Sequence, residues 1–321
     1  MFREEDVNYT MKMTTAEFRG YQQLCERGGG PMMVIACDQR GGMRKLLVTD
    51  PKEEGGIGQD ILGDTKSDIV ELLGNHASCV LLDPVCAVPR VIDEAVLARE
   101  CALLIGLDDS GWDVQPHTRY RLSKLVPGIN ARRVRELGGT GGKIMVYLRS
   151  DLPAANEHNI RILKQVIADF AAEDLLLVVE FLTYQVDGEG AGDYASKFSA
   201  LIEGGTKICL EVGSKVLKLP YPGTGEACAN VSKLCGDVPW AVLSAGVDHE
   251  HFIKQIEIAM ANGASGVIGG RALWKDCISL DRAVQRDRLT NVALPRLRQI
   301  QAVLAGYRPR HARRRFDETG S

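Results

Sequence analysis

The sequence predicts a single (β/α)8 barrel, the TIM-barrel architecture. Eight short apolar runs alternate with longer stretches of helical periodicity along the chain. The runs are nearly continuous in their apolar character, as expected of parallel strands covered by helices. The 321 residues suit eight such units, and no internal repeat or linker divides them.

The first run, "MMVIACD" (32–38), ends on a carboxylate, and the second, "SCVLLDP" (78–84), ends at a proline that cannot continue a ladder. The third, "CALLIGL" (101–107), precedes "DDSGWDVQPHTRYRLSKL", which reads as a long irregular or functional loop. "KIMVYLR" (143–149) is the fourth. The "GGTGGK" before it (138–143) has the look of a phosphate loop, but Ile144 stands where Ser or Thr is needed and a strand follows instead of a helix, so a flexible turn is expected. "LLLVVEFL" (175–182), "KVLKLPY" (215–221), "WAVLSAG" (240–246) and "SGVIGGR" (265–271) complete the eight. Helices are expected where Ile160, Leu163, Ile167 and Phe170, and then Phe252, Ile256 and Met260, recur at helical spacing, the second set stopping at Gly263. The organisation expected is an N-terminal extension or helix over 1–29, the barrel over 30–306, and a basic, disordered tail over 307–321.

With 45% hydrophobic and 25% charged residues and a net charge of −3, nothing global recruits nucleic acid or an anionic membrane. The tail "YRPRHARRRFDETGS" is basic, but beside an acidic body it reads as a solvated end. Nine cysteines, scattered and without a CxxC pair, are reduced, cytoplasmic usage. The charged start "MFREEDVNYTMKM" lacks the apolar core of a signal peptide, and no apolar run is long enough to span a bilayer.

Barrel chemistry lies at the carboxyl ends of the strands, so polar residues within or just past them are the candidates. These are Asp38, Gln39, Asp83, Lys143, Arg149, Glu180, Lys218, Ser244 and Arg271. Strand alternation groups Lys143, Met145, Tyr147 and Arg149 on one face, Val178, Glu180 and Leu182 on another, and Val216, Lys218 and Pro220 on a third. If these faces point inward, two lysines and a carboxylate converge. A structural Lys and Glu ion pair is the alternative for any one of them. A desolvated lysine beside a second cation can shed its proton and attack a carbonyl, and the resulting iminium is an electron sink for carbon–carbon cleavage, with a carboxylate to carry protons. The small residues of "LSAGVD" (243–248) and "IGGRALW" (268–274), together with Arg271, suit a phosphate at the seventh and eighth strand ends. "HEH", His249 to His251, could give two metal ligands but reads as a helix start with solvent-facing histidines, and no metal or other cofactor is expected.

"ACDQRGGMRKLL", "LLDP", "KIMVYLRSD", "VVEFLTY", "VLKLPYP", "LSAGVD" and "GASGVIGGRALW" together resemble the class I aldolases that include tagatose 1,6-bisphosphate aldolase and sulfofructose-phosphate aldolase, over about residues 30–280. The resemblance implies a Schiff-base lysine at Lys218, an acid/base glutamate at Glu180, a second active-site lysine at Lys143, and a strand-one trio of Asp38, Gln39 and Arg40. It also implies a phosphate site at Ser244, Gly246, Gly270 and Arg271. The implied reaction is metal-free cleavage of a ketose phosphate, tagatose 1,6-bisphosphate first, to dihydroxyacetone phosphate and glyceraldehyde 3-phosphate by a homo-oligomer. The sulfosugar reaction, giving sulfolactaldehyde, is the alternative, and Arg149 or Arg90 could meet either distal group. A metal-dependent barrel hydrolase using His249 and His251, or a non-catalytic sugar-phosphate binder, stands further off.

Overall fold

A computed structural model of the chain describes residues 13–309. The first twelve residues and 310–321, with most of the basic tail, lie outside the described residues. Eight strands form the barrel: β1 (Met32–Cys37), β2 (Cys79–Leu82), β3 (Ala102–Gly106), β4 (Gly141–Tyr147), β5 (Leu176–Leu182), β6 (Leu217–Pro220), β7 (Trp240–Leu243) and β8 (Gly266–Gly269). All neighbours are parallel, and the ring closes in the order β1-β8-β7-β6-β5-β4-β3-β2.

Each strand buries both faces. Val34, Ala36, Leu81, Leu104, Leu176, Val178, Val216, Ala241 and Ile268 fill the inside of the ring. The helix Thr15–Leu24 adds Phe18, Tyr21 and Leu24 to that same cluster, so the N-terminal segment packs its apolar face on the barrel interior. Its start is fixed by a reciprocal cap, in which Glu17 N–H donates to Thr14 Oγ1 and Thr14 N–H donates to the Glu17 carboxylate. The outer faces pack on a larger shell of helices, Glu157–Ala172 and His249–Ala261 among them, where the periodic residues Leu163, Phe170, Phe252 and Ile256 are fully covered. At about 1.5–3 kcal/mol for each large apolar side chain withdrawn from water, these two layers supply the main drive to fold.

The "GGTGGK" segment differs from expectation. Gly141 and Gly142 are not a flexible turn but the first two residues of β4, and both are buried. A Cβ on Gly142 would come within 2.4 Å of the Phe170 ring, so the glycine lets the helix lie close against the strand. Beyond β3, the segment expected to be irregular forms a small antiparallel hairpin, Asp113–Val114 against Arg121–Leu122, at the carboxyl end of the barrel.

All nine cysteines are buried and unpaired, and burial pushes every thiol pKa above its ordinary value. No helix among the described residues is long and apolar enough to cross a membrane.

Candidate active site

Parallel register sets Glu180 of β5 directly beside Lys218 of β6. The inward faces inferred from alternation hold, since Val178 and Val216, two residues before them, belong to the barrel-interior cluster. Lys218 Nζ lies 2.9 Å from Glu180 Oε2, and Lys143 Nζ of β4 lies 2.7 Å from the same oxygen. One carboxylate oxygen therefore bridges two ammonium groups. Glu180 Oε1 has no hydrogen-bond partner among the described residues.

Lys143 also reaches Asp38 at 2.9 Å and Asp108 at 3.0 Å. Burial alone would push its pKa down, but the charges of Asp108, Asp38 and Glu180 outweigh it and hold the ammonium well above the usual lysine value. Burial pushes Asp38 and Glu180 up; Lys143 and Lys218 overcome this and keep both carboxyls below the usual carboxylate range. Asp108 goes the other way. Burial raises it, and the repulsion of Asp38 and Glu180 leaves Lys143 unable to compensate. Lys143 is thus the counter-charge of three carboxylates, where the sequence suggested a cation acting on its neighbouring lysine.

Asp108 was not singled out from sequence. It lies two residues past β3, and only that position, in a loop full of polar residues, marks it. Its Oδ1 also accepts from Met145 N–H at 3.1 Å, which ties the loop after β3 to β4. Gln39 Nε2 donates to Asp38 at 3.0 Å while its Oε1 is buried without a partner. Arg40 is turned toward the loop after β3, pairing with Asp109 at 2.9 Å and donating to the Asp108 carbonyl at 3.2 Å. Asp83 stands apart from the lysine cluster in a buried pair with Lys66, accepting also from the Val85 and Cys86 amides.

Arg149 is corrected by the structure. It is 1% exposed, and all five of its N–H groups are spent: Nε and Nη2 on Asp151, Nη1 and Nη2 on Glu189, and Nη1 on the Tyr184 carbonyl. It ties the loops after β4 and β5 together and has no donor left for a substrate. Arg90, the other arginine proposed for a distal group, is paired with Asp64 and Glu94 on the outer helices.

At the ends of β7 and β8 the predicted residues do come together. Ala245 and Gly246 both adopt positive φ, 48° and 80°, in the turn that follows the buried Ser244. Lys275 Nζ donates to the Gly246 carbonyl at 2.6 Å and so pins the turn. A Cβ on Gly246 would lie 3.4 Å from Arg271 Cζ, which sets the guanidinium against this turn. A Cβ on Gly270 would strike the Ala36 carbonyl oxygen at 2.2 Å, so only glycine fits there. Arg271 has no carboxylate partner among the described residues. By contrast, His249 and His251 start the helix capped by Asp248, and no three His, Cys, Asp or Glu side chains cluster as metal ligands among the described residues.

Residues 32–276 match the model of the DeoC/LacD family aldolases. The tagatose 1,6-diphosphate aldolase of Listeria monocytogenes serotype 4a (strain HCC23) is 30% identical over 297 residues, covering 84% of this chain and 85% of that protein. The enzyme of the same name from Staphylococcus aureus (strain JH9) is 27% identical over 84% of this chain and 88% of its own. Among solved structures, a Schiff base forming fructose-1,6-bisphosphate aldolase superposes with a TM-score of 0.59 at 17% identity, covering 89% of this chain and 99% of that one. At that identity the likeness speaks for the barrel.

Proposed function

The chain belongs to the DeoC/LacD aldolase family, and from that premise we propose that it cleaves a ketose bisphosphate, tagatose 1,6-bisphosphate first, through a Schiff base on Lys218. The observation that carries the reading is the shared oxygen of Glu180, in contact with both lysines. Lys143 is committed as a cation by three carboxylates. Lys218 has Glu180 in place to accept the proton it must lose before it attacks the substrate carbonyl.

Attack of the Lys218 amine gives a carbinolamine, and loss of water gives an iminium that draws electrons from the adjacent carbon–carbon bond. Removal of the proton from the neighbouring hydroxyl, with Glu180 as the base, lets that bond break. The aldehyde leaves, and an enamine of dihydroxyacetone phosphate remains on the lysine. Protonation of the enamine carbon and hydrolysis of the imine then return free Lys218. Asp38, held by Lys143 and Gln39, stays ionised at the edge of this cluster, and its role is to orient the substrate hydroxyls. The phosphate retained by dihydroxyacetone phosphate fits the turn at Ser244 and Gly246, with the Gly270 amide and Arg271 opposite. We further propose that it works in the cytoplasm as a homo-oligomer, and sedimentation would check the assembly state.

Borohydride reduction with dihydroxyacetone phosphate tests the mechanism. The expected result is inactivation and a mass adduct on the peptide that contains Lys218, with Lys218→Met folded but unable to turn over or trap. An adduct on Lys143 would exchange the roles of the two lysines. No adduct on either would remove the Schiff base.

A further inference from the structure

With Arg149 and Arg90 spent, a substrate charged at both ends needs another cation at the barrel mouth. Arg121, on the second strand of the hairpin after β3, lies 3.9 Å from the Trp112 ring centre, 4.8 Å from that of Tyr184 and 5.1 Å from that of Tyr147. Its surroundings are aromatic faces, and it forms no ion pair among the described residues. Acids of the loops after β3 and β5 have other partners: Asp109 pairs with Arg40, Asp113 with Lys124, and Asp187 with Arg119.

Its backbone is nevertheless built in. The fully buried Asn159 donates to the carbonyls of Arg121 and Tyr147 and accepts from Ser123 N–H, and Arg121 N–H donates to the Tyr184 hydroxyl. This stitches the hairpin strand to the end of β4. Tyr147, two and four residues beyond Met145 and Lys143 on the same face, stands between the lysine cluster and Arg121.

Topology places this cation opposite the phosphate turn. In the closed ring β3 is four strands from β7, and β4 is four strands from β8. A chain anchored at Ser244 and Arg271, on the β7 and β8 side, runs past Lys218 and Glu180 and ends on the β3 and β4 side. We propose that Arg121 receives the second anionic group of the substrate, a phosphate or a sulfonate, and so sets the enzyme's preference for doubly anionic ketoses. The aromatic stack holds the guanidinium plane in position, and apart from a hydrogen bond to the Tyr147 hydroxyl its N–H groups are left to bind oxygen. This inference rests on the aldolase reading above.

The test measures kcat and KM for a ketohexose 1,6-bisphosphate, its 6-sulfo 1-phosphate counterpart and the plain 1-phosphate, in the parent, Arg121→Met and Arg121→Lys. Arg121→Met is expected to lower the ratio of kcat/KM between the doubly and singly anionic substrates by about 10- to 100-fold, chiefly through KM, with Arg121→Lys restoring part of it. Whichever doubly anionic substrate the parent prefers, and whose preference the variant loses, identifies the group as phosphate or sulfonate. An unchanged ratio, or equal losses on all three substrates, would overturn the assignment. Dihydroxyacetone phosphate carries no second anion, so borohydride trapping of the parent tests the underlying aldolase reading separately. An adduct on Lys218 together with an unchanged ratio defeats the Arg121 assignment alone.

Discussion

Replacing Lys143 by Met keeps the stem and removes the charge that three carboxylates share. Asp38, Asp108 and Glu180, at 2.9, 3.0 and 2.7 Å from the lost ammonium, are left with Lys218 as the remaining cation of the cluster. Removing one partner of a buried pair costs about 3–5 kcal/mol. At an unfolding entropy of about 2.1 cal/mol/K per residue over the 321 residues, that is a fall in Tm of about 4–7 °C at pH 8. The pH dependence has a definite sign. In the parent, Asp38 and Glu180 have depressed folded pKa values, so their stabilisation is present above the unfolded pKa of about 4 and is lost as pH falls through the folded values. In the variant only Lys218 still opposes burial, so those values rise and the stabilisation above about pH 4 shrinks, the loss fading as the groups take up protons. Melting curves of parent and variant, recorded in steps from pH 8 to pH 4.5, should therefore converge toward acid. A gap that is the same at both ends, or wider at the acid end, would refute the assignment of Lys143 as the counter-charge of the three carboxylates.

Arg149→Met should lower stability by about 2–4 kcal/mol, because Glu189 is left buried while Asp151 can turn to solvent, and KM should change little. A large rise in KM with an unchanged melt would instead return Arg149 to the substrate. For Arg271→Ala the expectation is a KM about 10- to 100-fold higher with kcat largely kept, and an unchanged KM would put the phosphate elsewhere. Gly142→Ala should cost about 1–3 kcal/mol through overpacking against Phe170, and Phe170→Leu in the same chain should recover part of it; equal losses in the single and double variants would show that the ring is not the obstacle.

The strands were legible because a parallel barrel buries both faces of each one, and a continuous apolar run is the direct trace of that burial. β4 is the exception in its start, since glycine carries no hydrophobic signal and the residue that explains Gly142, Phe170, is on a helix that follows. Lys143, Glu180 and Lys218 were legible for the complementary reason: a charge inside an apolar run is expensive, so it marks a site. Arg149 shows where alternation stops being a guide. β4 ends at Tyr147, the chain turns, and the arginine's partner Glu189 is 40 residues away in a loop that sequence reading cannot fold. Asp108 and Arg121 fall in a polar segment where acids and bases are ordinary, so only the ring of strands beneath them gives them meaning.

The nine covered thiols make this chain its own unfolding reporter. A thiol must reach water and ionise before an alkylating reagent can take it, and here each is shielded on both counts. Labelling should therefore proceed only through opening events, and the order in which Cys25, near the N-terminal helix, and Cys277, after β8, react would map which parts of the ring open first. A single cysteine added to the outer surface, at a position such as Lys164, would take up one dye in the native enzyme without any of the nine having to be removed.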